Sequence, residues 1–146
     1  MISVLDFRPA FHQSSNHAYW DFYVDDERLS ETLRVCGIPP LGWLGEEFDL
    51  QYREMLLRKR EGDVPVGRVP LFVCEICGDY ECGVVSCEIE LAQDGIVWRD
   101  FATHYNEGGE FRRDEDRDQW SDLKIVFDPH QYLISISTLA ANPPKH

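Results

Sequence analysis

Positive charge is what this chain has least of. Lys and Arg together number 14 against 27 Asp and Glu, and the formal net charge is −13 over 146 residues. A surface this acidic repels phosphate backbones, which argues against direct nucleic-acid binding. Long apolar runs are missing too. No stretch reaches the ~18 consecutive apolar residues of a membrane-crossing helix, so no membrane partner is expected. The opening stretch MISVLDFRPAFHQ has no basic leader, and Asp6 and Arg8 interrupt it early. We therefore expect no signal peptide and a cytosolic protein. Catalytic signatures are equally scarce. The sequence contains no Gly-x-Ser-x-Gly elbow, no phosphate-binding Gly-Lys-Ser/Thr loop and no Gly-x-Gly-x-x-Gly fingerprint. Its five histidines, His12, His17, His104, His130 and His146, form no tight ligand pair.

What is present is a globular composition, 43% hydrophobic and 28% charged, at a length that suits one domain spanning residues 1–146. Residues 2–8 and 18–24 read as strands, the second dense in aromatic and β-branched side chains. Leu29, Leu33 and Cys36 then follow at helical spacing, with Gly37 as the stop. Pro39 and Pro40 enforce a loop, and residues 46–60 form a second expected helix with Phe48, Tyr52, Met55 and Leu56 on one stripe. Strands are expected over 68–76, 83–91, 96–104 and 123–127, with Asp94-Gly95 as a tight turn and 106–122 as a polar loop. Asp128, Pro129 and Gln131 are a helix start; Tyr132, Leu133, Ile136 and Leu139 line its inner side. These elements predict an α+β single domain, an antiparallel sheet in meander order with helices packed on one face. The expected core is Trp20, Phe22, Leu33, Tyr52, Phe72, Cys87, Ile89, Trp98, Phe127 and Ile136.

Four of the five cysteines crowd into VCEICGDYECGVVSCEI, residues 73–89. A thioredoxin-type redox pair needs its first thiolate at a helix N-terminus. Here Cys74 ends a strand, and Asp79 and Glu81 stand nearby to oppose a thiolate. The CEICG segment has the form of a zinc knuckle, which makes Cys74, Cys77 and Cys82 the candidate metal ligands. Strand alternation places Val85, Cys87, Ile89 and Leu91 on one face and Ser86, Glu88 and Glu90 on the other, so Cys87 belongs to the core. That leaves three thiols without a close fourth ligand, His104 being a distant one. The reading favours free thiols around a Gly-rich turn and no bound cofactor, with zinc as the alternative.

The stretch LFVCEICGDYECGVVSCEIELAQDGIVWRDF, residues 71–101, resembles small uncharacterised bacterial proteins. These carry a Cys-x-x-Cys-Gly-Asp-x-x-Cys-Gly hairpin followed by a Trp-x-Asp-Phe strand. The resemblance extends loosely to FYVDDERLSETL and FDPHQY. It implies a shared fold and no particular activity, and the shared pattern holds Cys74, Cys77 and Cys82 but not Cys87.

The acidity is uneven. Residues 1–62 carry a net −4 and residues 63–146 a net −9. Glu75, Asp79, Glu81, Glu88, Glu90 and Asp100, with Tyr80 as an aromatic anchor, are the candidate partner-binding residues. No nucleophile has an evident base, so no catalytic residue is assigned and a non-enzyme is expected. The favoured function is an acidic cytosolic immunity or antitoxin-type protein that binds and inhibits a basic toxin, for example a nuclease, whose electropositive site an acidic inhibitor can fill. The alternatives are a zinc-stabilised accessory or regulatory module, and an enzyme of unrecognised type using His104, Asp100 and the cysteines.

Overall fold

The fold is α+β with antiparallel strands in meander order, as expected; the strands form two sheets that pack through aromatic side chains. The computed structural model describes residues 2–117, 120 and 122–144. In the smaller sheet, β1 (Leu5–His12) pairs with β2 (His17–Val24), and β2 pairs with the short β3 (Glu27–Arg28). Asp25 and Asp26 end β2 with φ of 52° and 67°, a left-handed turn that Asp tolerates better than most residues.

Helix α1 (Leu29–Leu33) buries Leu29 and Leu33 but stops short of Cys36. Arg34 takes φ 58°, and its N–H and that of Val35 close back on the carbonyls of Glu31 and Ser30. The reason for the early stop lies just beyond. Ile38 and Val73 exchange two backbone hydrogen bonds of 3.0 and 2.8 Å. Gly37 lies so close to that bridge that a Cβ would fall 2.6 Å from the Val73 oxygen. The chain must leave the helix to make this contact, and Cys36 therefore sits exposed in a loop and not on a buried helical stripe. Helix α2 (Glu46–Leu56) buries Tyr52, Met55 and Leu56, and ends earlier than the expected residue 60.

The larger sheet holds β4 (Val69–Phe72), β5 (Val84–Ala92), β6 (Gly95–Glu107), β7 (Glu110–Arg113) and β8 (Lys124–Phe127). Its order is β4-β5-β6-β7, with β8 also on β6. The long β6 is shared: Ile96–Arg99 pair with β8, and His104–Glu107 pair with β7. Part of the expected polar loop 106–122 is thus a hairpin. Gly108 and Gly109, with φ of 62° and 87°, make its two-residue turn, and Gly-Gly is a hairpin signal. Helix α3 (Pro129–Ser137) starts as expected, with the Asp128 carboxylate accepting the Gln131 N–H at 2.9 Å.

All ten expected core residues are buried. Phe22 of β2 meets Trp98 of β6 at 5.7 Å and Phe72 of β4 at 6.0 Å, both edge to face, an arrangement that adds to simple burial. The Trp98 indole N–H donates to the Tyr132 hydroxyl at 3.1 Å, and that hydroxyl donates to the Leu56 carbonyl at 2.5 Å. One buried hydrogen-bonded chain thereby ties the large sheet to α3 and α2. Leu91 and Leu133, expected inside, are exposed: Leu91 lies at the exposed end of β5, and Leu133 lies on the solvent side of α3 beside the buried Tyr132 and Ile136. A second, smaller core of Val64, Val73 and Val84, flanked by Trp43, Tyr80 and Phe111, lies under the cysteine-rich hairpin.

Ile89→Ala is expected to cost about 2–5 kcal/mol, since the deleted methyls leave a void in the main core. Equilibrium denaturant unfolding measures it. A change within error would mean that the β5 faces are assigned the wrong way round.

Candidate metal centre

The cysteine-rich hairpin begins where β4 ends. The Gly78 N–H donates to the Cys74 carbonyl at 2.9 Å, closing a turn around Glu75–Cys77. Gly78 itself has φ +66°, and a Cβ there would fall 2.7 Å from Leu44 Cδ2. The left-handed backbone favours glycine here, and any side chain would also have to displace the tip of Leu44. Asp79 then accepts the Glu81 N–H at 2.9 Å and caps the short 3-10 turn Tyr80–Cys82. These two turns deliver three sulfurs to one point. The Sγ atoms of Cys74, Cys77 and Cys82 all lie within 4.8 Å of one another, with Cys77 and Cys82 at 3.1 Å.

A tetrahedral zinc with bonds of about 2.3 Å holds its sulfurs about 3.8 Å apart, so Cys77 and Cys82 would open from 3.1 Å to share one. Three nearby cysteines can hold one. The electrostatics agree with the geometry. Backbone N–H groups of Cys77 and Ile76 point at the Cys74 sulfur and lower its pKa, because they stabilise the thiolate. Cys82 is pushed up to about 11, chiefly by its hydrogen bond with the Cys77 thiol. One thiolate is thus prepared by the backbone, while Cys82 holds its proton through its hydrogen bond with the Cys77 thiol. Cys87 stands apart: it is buried on the core face, and burial pushes its thiol up.

His104 does not join the thiols. Its ring stacks on Phe111 at 5.7 Å, and burial, followed by Arg68 and Arg113, lowers its pKa. Among the described residues, no histidine or carboxylate belongs to the group of three.

The seven candidate partner-binding residues fall in two places. Glu75, Asp79, Tyr80 and Glu81 surround the thiols. Tyr80 is half-buried there, its hydroxyl donating to Asp63 at 3.0 Å, so it closes the smaller core and is no free-standing anchor. Glu88, Glu90 and Asp100 lie on the outer face of the sheet and are paired within the protein. Arg99 bridges Glu88 at 3.4 Å and Glu90 at 2.9 Å. Asp100 accepts from Arg68 and Arg113, each at 2.8 Å. The free acidity of this region therefore gathers at the thiol-bearing tip.

Arg68, which nothing in the sequence singles out, is 2% exposed and organises that outer face. Its guanidinium donates to the Ser86 hydroxyl at 2.9 Å and to the carbonyls of Ser86 and Asp100. Ser86 shares a strand face with Glu88 as expected, yet it is buried because Arg68 covers it. Across from Cys87, β6 carries an extra residue, and Asp100 takes φ 52° in this bulge.

Comparison with family models, with curated proteins and with solved structures finds no match for this chain. No helix among the described residues is long and apolar enough to cross a membrane.

Hydrogen bonds from Arg113, then from Arg68, hold the Asp100 carboxyl below its usual range. A depressed folded-state pKa contributes stability that is complete above the unfolded value of about 3.9 and is lost as pH falls through the lower folded value. Asp100→Asn keeps a residue that tolerates positive φ and removes only the charge, leaving Arg68 buried beside a neutral amide. The expected cost is about 1–2 kcal/mol at neutral pH, below that of a fully buried pair because the carboxylate is partly exposed. The difference from wild type should narrow below about pH 4. Urea melts at several pH values provide the check.

Proposed function

We propose that this chain is a zinc-stabilised binding protein whose recognition end is the thiol-bearing hairpin. The observation that carries the reading is the convergence of Cys74, Cys77 and Cys82 within 4.8 Å. Two glycine-dependent turns, Gly78 and Gly83, support that convergence. Zinc is the cation of choice for such thiolate sites because it is borderline-soft and imposes no redox chemistry. Its role here is to fix the hairpin. The small core beneath, three buried valines and their flanking aromatics, gives the tip little stability of its own. A bound zinc would hold Glu75, Asp79 and Glu81 in a fixed array.

Those acids, with the net charge of −13, favour a basic protein as partner. An immunity or antitoxin role toward a basic toxin is the specific form of this reading. Opposite charge would steer the encounter and the ordered tip would set the fit.

Elemental analysis of protein purified without chelator should give one zinc per chain. Removing it should lower the thermal midpoint and raise amide exchange first over residues 74–83. Protein isolated metal-free, with unchanged stability when zinc is added, would defeat the proposal. For the partner, Asp79→Lys with Glu81→Lys should slow association with a basic target severalfold. Glu88→Lys should act less, since that side chain is already paired. Association that ignores both salt and these charges would remove the electrostatic basis of docking.

A further inference from the structure

Three thiolates leave a tetrahedral zinc one ligand short. We infer that Cys36 supplies the fourth, which makes the centre a four-thiolate site joining the α1–α2 loop to the hairpin. This rests on the zinc reading above. Cys36 lies far from the others in sequence, but the fold brings its loop to theirs. The two-bond bridge between Ile38 and Val73 sets Cys36 two residues before one partner and Cys74 one residue after the other. Arg34, Cys36, Cys74, Glu75, Cys82 and Thr103 line one cavity of about 490 Å³. Cys36 lies outside the group of three thiols, so its ligation requires a turn of its side chain toward them. That side chain is exposed, and no core packing resists the turn.

The loop is shaped for this presentation. Arg34 at φ 58° and Gly37 at φ 95° are both left-handed and flank Cys36. Gly37 cannot carry a side chain, because a Cβ would meet the Val73 oxygen at 2.6 Å. The close backbone approach exists at the two residues that separate Cys36 from Cys74. Charge favours it as well. Zinc with four thiolates carries a net −2, and Arg34 is among the residues that line the cavity with Cys36. Glu75 is the competing ligand from that cavity. It lies inside the loop that Cys74 and Cys77 close around the metal, where chelation by a third neighbouring side chain would strain the turn. Thiolate is also the softer match to a centre that already holds sulfur.

Cobalt(II) in place of zinc reads the number of thiolates directly, through the ultraviolet sulfur-to-cobalt charge-transfer band. The comparison is among the wild-type chain, Cys36→Ser and Glu75→Gln, each loaded with one equivalent of cobalt under reducing conditions. Cys36→Ser should lose about a quarter of the band, one thiolate in four, and Glu75→Gln should lose none. Cys36→His should recover tight binding while keeping the weaker band, because imidazole replaces the ligand without the sulfur. An unchanged band in Cys36→Ser overturns the assignment of Cys36 and leaves a three-thiolate site. A fall in cobalt affinity on Glu75→Gln, with Cys36→Ser unchanged in both band and affinity, moves the fourth ligand to that carboxylate and overturns it equally. A wild-type chain that takes up no cobalt defeats the zinc reading itself, a result distinguishable from the other two.

Discussion

The buried guanidinium of Arg68 is the contact on which the rest of the large sheet depends. It reaches from the start of β4, over Ser86 of β5, to the carboxylate and carbonyl of Asp100 in β6. A charge at 2% exposure is tolerable only when its donors are all engaged. Here the engagement does more than neutralise. It stabilises the bulge at Asp100, and the bulge decides which side chains of β6 face inward. Trp98 lies on the core side before it, and Phe101 lies on the core side after it, both fully buried. Strict alternation would have turned Phe101 outward. Thr103 follows Phe101 onto the same side, where it lines the cavity beside Cys82 and Cys36. A single ion pair on one face of the sheet thus sets the wall of a cavity on the other.

The acidic excess acquires a different meaning in three dimensions. Arg99, Arg68 and Arg113 are committed to Glu88, Glu90 and Asp100, so the middle of the sheet is nearly balanced. The hairpin keeps Asp79 and Glu81 exposed beside two exposed sulfurs. Such a tip combines a negative field with three thiols that could hold a cation. Metal binding would offset part of that field, so tip order and tip charge are coupled.

Much of this was legible in the chain. The aromatic run at residues 18–24 and the Asp128 cap each place an element correctly, because their causes are local, whereas the tight turn falls one residue before the expected Asp94-Gly95, with Gly95 already in β6. Alternation in VVSCEI also assigns Cys87 to the core, as observed. The failures share a different character. Helical spacing carried α1 through Cys36, since periodicity cannot register that Gly37 must lie against Val73. The polar composition of residues 106–113 concealed a hairpin that Gly108-Gly109 encoded. Ser86 was expected at the surface because nothing local announces that Arg68 folds over it. The thiols followed the same division: Cys74, Cys77 and Cys82 are close in sequence and were recognised, whereas the loop of Cys36 reaches their cavity only through a tertiary bridge.

One outer strand of each sheet carries proline. Pro9 sits within β1, and Pro70 within β4. Each removes a backbone donor from a border that would otherwise offer a full ladder to a foreign strand. On its other side the small sheet ends in the two-residue β3, and the far border of β6 is divided between β7 and β8. The two borders that carry proline are therefore poorly suited to sheet extension, in which main-chain hydrogen bonds supply affinity with little regard to sequence. A contact made there would fall to side chains and turns, and its selectivity would reside in residues that substitution can retune without disturbing the sheets.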